Sequence, residues 1–185
     1  RSRYHSVTKI SMEINGKWKG RKSDEQRTLI YISALEEWIP FCESLFGLDD
    51  ETWNRSLAPG KWPIKSIVSH IMLWDRYYYE EAIHKIALSE PLTLVNKAYQ
   101  EFNRNADAYA KTVGADDLLR DAIAVRKRII EDLRSLPEER LVQSYIDGEG
   151  RAFLIEEYLK DFVGHDRHHM DQIRQVLQER QHANP

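Results

Sequence analysis

The chain has 185 residues, of which 27 are lysine or arginine and 30 are aspartate or glutamate, for a formal net charge of −3. That balance, with no long run of one sign, excludes the phosphate-neutralising surface of a nucleic-acid binder, and no stretch approaches the ~18 to 20 apolar residues of a membrane span. With 42% hydrophobic residues and a single cysteine, Cys42, the sequence predicts one domain with its own core and no internal disulfide, suited to a reducing, cytoplasmic setting.

Residues 1–20 are basic and polar without clear periodicity and are set apart as a leader, disordered or partly vector-derived, with Met12 a candidate start. The domain is expected over 21–181, followed by a short tail, 182–185. Ser23 and Gln26 match a capping box, and Leu29, Ile32, Leu35, Ile39, Cys42 and Leu45 then recur at spacings of three and four. A first helix is predicted from Asp24 to Phe46, kinked or broken at Pro40. A connector over 48–62 ends in Ala58-Pro59-Gly60-Lys61-Trp62, and Pro63 is placed in the first turn of a second helix reaching Leu88. Ile64, Ile67, His70 or Ile71, Trp74, Tyr78 and Ala82 mark the inward face of that helix. Residues 89–114 carry Pro91, Asn96, Asn103, Asn105 and Gly114 and read as a long crossover, with at most a short helix from Ala106 to Lys111. A third helix is predicted from Ala115 to Leu136, ended by Pro137, and a fourth from Ala152 to Glu179 after a turn at 147–150 with room for a small hairpin. The fold class is all-α, a four-helix bundle in which the long second connector can return the chain to its starting end.

His165 and His169 are four apart, so on a helix they differ by about 40° in direction and about 6 Å in height, which lets both imidazoles reach one ion. Both continue the apolar stripe of the fourth helix, while His70 lies on the inward face of the second. Three neutral imidazoles with an open fourth position form a catalytic zinc arrangement, and one cysteine leaves no thiolate cluster as an alternative. His70, His165 and His169 are therefore the candidate metal ligands. His168 is turned about 100° from His169 and should face solvent or a subunit contact. His84, 14 residues beyond His70, is about 21 Å along the helix and too far to share its ion. Glu81 with His84 matches a di-iron Glu-x-x-His pattern, but the fourth helix has no second copy. His5 and His182 are terminal. Asp161 and Asp75 are candidates to hold an imidazole by its second N–H, with solvated surface charge as the simpler role. Tyr77, Tyr78 and Tyr79 suit a pocket mouth, the core or an interface, and Cys42 has no base to make it a nucleophile.

The segment Gly60-Lys61-Trp62-Pro63-Ile64-Lys65-Ser66-Ile67-Val68-Ser69-His70, with Gly164-His165-Asp166-Arg167-His168-His169-Met170-Asp171-Gln172-Ile173 much later, resembles the DinB/YfiT-like superfamily over about residues 24–180. The resemblance implies an up-down-down-up four-helix bundle, a divalent metal such as zinc or nickel on the three histidines, and a homodimer. Relatives include thiol-dependent S-transferases, a maleylpyruvate isomerase and hydrolases. The leading expectation is thus a metal-dependent enzyme whose open position takes a substrate thiolate or water, acting on a small molecule, with a low-molecular-weight thiol as a candidate partner. The competing expectation is a non-catalytic, stress-associated binding protein with a weak or vestigial metal site.

Overall fold

The computed structural model describes residues 23–56 and 58–183; the leader, with His5 and Met12, and the side chain of His182 lie outside the described residues. Helix α1 runs through 23–35 and α2 through Trp38–Ser44. The expected break thus falls at 36–37, a turn before Pro40. Proline has no N–H for the Glu36 carbonyl and its ring collides with that carbonyl in a straight helix, so the disruption appears four residues upstream. Short-range bonds from Glu37 N to Ala34 O (3.1 Å) and Ile39 N to Glu36 O (3.0 Å) take over there. The connector holds one unforeseen turn of helix, α3 (Asp50–Trp53), because the Asp49 carboxylate caps it, accepting from the Thr52 N–H at 2.8 Å and the Thr52 hydroxyl at 2.6 Å.

Helix α4 (Ile64–Tyr78) starts one residue later than expected, with Pro63 at the extended capping position rather than in the first turn. It passes through a π-helical turn (Tyr79–Ile83) into α5 (His84–Ala87). Ala82 and Ile83 in this turn are both buried. In the crossover, α6 (Tyr99–Ala110) is twice the expected length. The asparagines at 103 and 105 have weak helix propensity, but packing outweighs it: the Ser69 hydroxyl donates to Ala106 O (2.8 Å) and the Ser66 hydroxyl to Asp107 Oδ1 (2.6 Å), fastening α6 to α4. Helix α7 spans Ala115–Ser135 and a single turn, α8, spans Glu138–Leu141. Strands β1 (Ser144–Ile146) and β2 (Ala152–Leu154) form an antiparallel hairpin, so the last helix, α9 (Ile155–Ala183), begins three residues later than expected. The hairpin turn touches the crossover where Gly148 N donates to Leu94 O at 2.8 Å. A Cβ at Gly148 would lie 2.9 Å from that same oxygen, so this close approach needs glycine.

Cross-links between helices give their directions. Ion pairs Arg27–Glu156 and Glu37–Arg167 make the first and last helices parallel. Asp75–Arg126, His84–Asp132 and the bond from Arg140 to Ile86 O rise together along the second and third, making these parallel too. His70–His165 and Tyr78–Tyr158 run oppositely, so α4 and α9 are antiparallel. The bundle is therefore up-down-down-up, as the long crossover requires. Two apolar clusters fill it, one around Leu35, Ile83, Ile86, Ile129 and Leu159 toward the hairpin end, the other around Trp38, Leu45, Ile67, Ile71, Leu118 and Ile173. No helix among the described residues is long and apolar enough to cross a membrane.

Candidate metal centre

An extended segment fixes the entry to α4: Ser56 and Pro63 bridge, and Ile64 N donates to Arg55 O at 3.3 Å. This sets the Trp62 ring 5.1 Å from that of His70, which is fully buried. Across the bundle, His165 and His169 stand one turn apart on α9. The Nε2 atoms of His70 and His165 are 2.8 Å apart, and those of His165 and His169 are 3.2 Å apart. All three rings offer a ligand atom within 4.8 Å of one another, and they are the one such His/Cys/Asp/Glu group among the described residues. Helix α6 closes over them, bringing Tyr99 edge-on to His70 and Asn103 beside it.

The electrostatics suit a cation. Burial first, then the neighbouring imidazoles, pushes His70 down to about 4 and His165 down to about 3, and burial also lowers His169. All three are neutral at physiological pH, so no charge of their own repels a cation, and their Nε2 lone pairs are available to one. On the outer side, His169 Nδ1 meets Gln172 Oε1 at 2.7 Å. An amide oxygen only accepts, so this bond places the proton on Nδ1 and leaves the Nε2 lone pair directed inward. The donor set of three neutral imidazoles fits a borderline divalent ion.

Asp75 and Asp161 do not hold the imidazoles. Asp75 is fully buried and bonds Arg126 in two places (2.8 and 3.0 Å), and Asp166, beside His165 in sequence, bonds the same guanidinium at 2.6 and 3.2 Å. Asp161 instead lines an aromatic cavity. His84 is separate from the three-histidine group: its Nδ1 pairs with Asp132 at 2.8 Å and lies 3.2 Å from the Tyr79 hydroxyl. Glu81 accepts from Thr93, so neither half of the di-iron pattern faces the centre. His168 is exposed. Tyr77 is engaged within the chain, donating to Val95 O and accepting from Val95 N, and Tyr78 lines the cavity beside His165. Cys42 is buried, and burial raises its thiol well above the usual range, so it carries no thiolate.

Two cavities flank the histidines. One of about 250 Å³ abuts His165 and is walled by Trp74, Tyr78, Tyr99 and Phe162; the other, about 220 Å³, abuts His169 and is lined by Trp62, Lys61 and Gln172.

The model of the DinB superfamily matches residues 37–173, a span that includes all three histidines. The chain belongs to the DinB superfamily. Among solved structures it is similar to YfiT from Bacillus subtilis, described as a probable metal-dependent hydrolase with an unusual four-helix bundle topology, at 17% identity and a TM-score of 0.66, over 82% of this chain and 86% of that one. It is also similar to the mycothiol-dependent maleylpyruvate isomerase, at 15% identity and a TM-score of 0.57, over 83% of this chain. The DinB domain here spans 60% of that isomerase. Identities this low carry the fold alone. A comparison with curated proteins gives no match.

Trp62 and Gln172 fall within the two segments that carry the family resemblance, but the sequence assigns neither a role; Gln172 has a further local signal, three residues after His169 on the same helix face, while Asn103 and Arg126 have none.

Proposed function

We propose that this DinB-superfamily protein is a metal-dependent enzyme in which His70, His165 and His169 hold one divalent ion, zinc or nickel, and that it transfers a group between a small thiol and a small electrophile. The convergence of three neutral Nε2 atoms, that of His70 fully buried and those of His165 and His169 half-buried, is the observation that supports it. When bound, such an ion supplies a Lewis acid that stabilises an anionic nucleophile at neutral pH. The chain's own groups then do the rest. Trp62, Tyr99 and α6 exclude water from His70, Gln172 orients His169, and the cavities on the His165 and His169 sides separate two reactants. Two cavities on opposite flanks favour group transfer, with the mycothiol-dependent isomerase as a thiol-using relative in fold. Hydrolysis is the second reading, which the likeness to YfiT favours. A cytoplasmic location and a homodimer complete the proposal. Light scattering at micromolar concentration tests the dimer, and a mass near that of one 21.8 kDa chain would count against it.

The deciding experiment measures metal per chain by mass spectrometry in the wild type and in His70→Ala, His165→Ala and His169→Ala, then assays thiol conjugation to an electrophile. The expected outcome is near-stoichiometric metal in the wild type and a loss of affinity of at least about 100-fold in each variant, close to 3 kcal/mol. Retention of metal by all three variants would refute the site.

A further inference from the structure

The surroundings of His165 and His169 differ in charge. Beside His169 the cavity carries Lys61 and no acid. Beside His165 the cavity is lined by Trp74, Tyr78, Tyr99, Phe162 and Asp161, and a second cavity of about 170 Å³ adjoins it, sharing Tyr78, Phe162 and Asp161 and adding Glu157. Neither has a lysine or arginine in its lining. Asp161 and Glu157 are exposed, and among the described residues no hydrogen bond or ion pair holds their carboxylates. Arg151, the basic residue that acts on Tyr78, is already paired with Asp147 at 3.0 Å and with Glu149.

Aromatic rings present a negative face, and a carboxylate at the rim adds to the same potential, so the lining itself favours a cation that tolerates an apolar wall, a preference that an ion on the neutral histidines would weaken and could not create. The chain already shows the preference on the neighbouring ring, where Lys97 Nζ lies 5.0 Å over Tyr77. Trp74 is held for such a contact by stacking on Phe102 at 3.8 Å between centroids. A compact, weakly hydrated alkylammonium is the cation that gains most from rings and loses least on leaving water.

We propose that the groove beside His165 is the substrate subsite for an alkylammonium group, held by Trp74, Tyr78 and Phe162 with Asp161 as counter-ion, so that the enzyme's electrophile enters by a cationic end. This rests on the metal-enzyme reading for the place of the reacting atoms, but the groove's own chemistry is separable from it. The test titrates the full chain with choline and with its neutral isostere 3,3-dimethylbutan-1-ol, by calorimetry and ligand-observed NMR, with metal content measured on the same samples. Choline is expected to bind about tenfold more tightly than the alcohol, Asp161→Asn to cut that preference to about threefold, and Phe162→Leu to weaken choline further. Asp121→Asn, an exposed change on α7, should leave the preference intact. Equal binding of the two probes, no choline binding at millimolar concentration, or a preference unmoved in both groove variants would overturn the proposal. Equal binding in a fully metal-loaded protein removes the groove and leaves the metal reading standing. A choline preference in a preparation that takes up no metal supports the groove and removes the metal reading.

Discussion

Two polar clusters lie inside this bundle, both bridging α4 and α9, and they are built on opposite principles. Around Arg126 the groups are matched: its guanidinium donates to Asp75, Asp166 and the Leu35 carbonyl, all essentially out of water. Around His70 they are not: three neutral Nε2 atoms face one another, and the Asn103 amide beside the buried His70 makes no well-formed hydrogen bond with its Nδ1. A matched buried network locks helices together, whereas an unmatched one is tolerated where a ligand completes it. The first cluster sits between the two apolar clusters and joins α4, α7 and α9, and Asp166 ties the backbone carrying His165 to it.

The largest effect is expected from breaking the matched cluster. Arg126→Ala strands two buried carboxylates and should destabilise the fold by about 3–5 kcal/mol, with a melting temperature roughly 10 °C lower. Burial already raises Asp75 to about 6 and raises Asp166 against the pull of Arg126, so without the arginine both should protonate readily. The deficit should then narrow between pH 7 and pH 5 in denaturant titrations. Replacing the triad with Leu, Met and Leu together should cost far less than Arg126→Ala alone. Equal losses would show that the arginine contributes mainly by packing.

Much of this was legible in the sequence, and the parts that were not share a cause. The helices and the three histidines could be read because each sits on a stripe with period near 3.6, a property of one segment alone. Arg126 obeys the same period, four after Ala122 and three before Ile129, yet its partners stand on two other helices, and only packing reveals that they converge. Asn103 reads locally as a helix breaker, but in the fold it belongs to the helix that closes over the three histidines. The π-helical turn and the start of α9 after a strand likewise depend on contacts made elsewhere in the chain.

The unmatched cluster should respond to acid with the opposite sign from the stranded carboxylates. His70 and His165 are held near about 4 and about 3, below the ~6.5 of an unfolded chain, so unfolding takes up protons once the pH falls under that value. Their contribution is fully present above pH ~6.5 and is lost as the pH falls through the folded values, on the order of 1–3 kcal/mol for the buried His70. Asp75, raised by burial, opposes this in the upper part of the window, so the comparison that isolates the histidine is wild type against His70→Leu, both chelated. The wild type should lose stability more steeply from pH 6.5 to 4; parallel curves would mean that His70 is protonated without cost in the fold.

A smaller change sharpens the contrast from outside the ring of ligand atoms. Gln172→Ala removes the acceptor that fixes the tautomer of His169, without touching an Nε2 atom. Partners of this kind are worth about 10- to 100-fold in metal affinity, and the lower end is expected here because the glutamine is half-buried. Thermal stability without metal should barely move. Competition with a chromophoric chelator measures the affinity, and an unchanged value would mean that His169 is oriented by its packing alone.

The smallest effect on the helical fold is expected from removing metal altogether. Four helices bury a common core through Leu35, Ile67, Ile83, Leu118, Ile129 and Ile173, all at most 2% exposed, so apolar burial and the Arg126 network are in place without an ion. Domains that need metal to fold are typically those too small to build such a core. Chelation should therefore leave the helical circular dichroism signal at 25 °C unchanged while abolishing activity. Because His70 lies on α4 and the other two ligands on α9, the ion also links two helices and should raise the melting temperature by mass action, about 3 kcal/mol at 100 times its dissociation constant. Collapse to a coil spectrum on chelation would reverse the contrast, making the histidines a structural clasp and Arg126 the dispensable cluster. A retained spectrum with a lower melting temperature is what a ligand site built on an independently stable bundle must give.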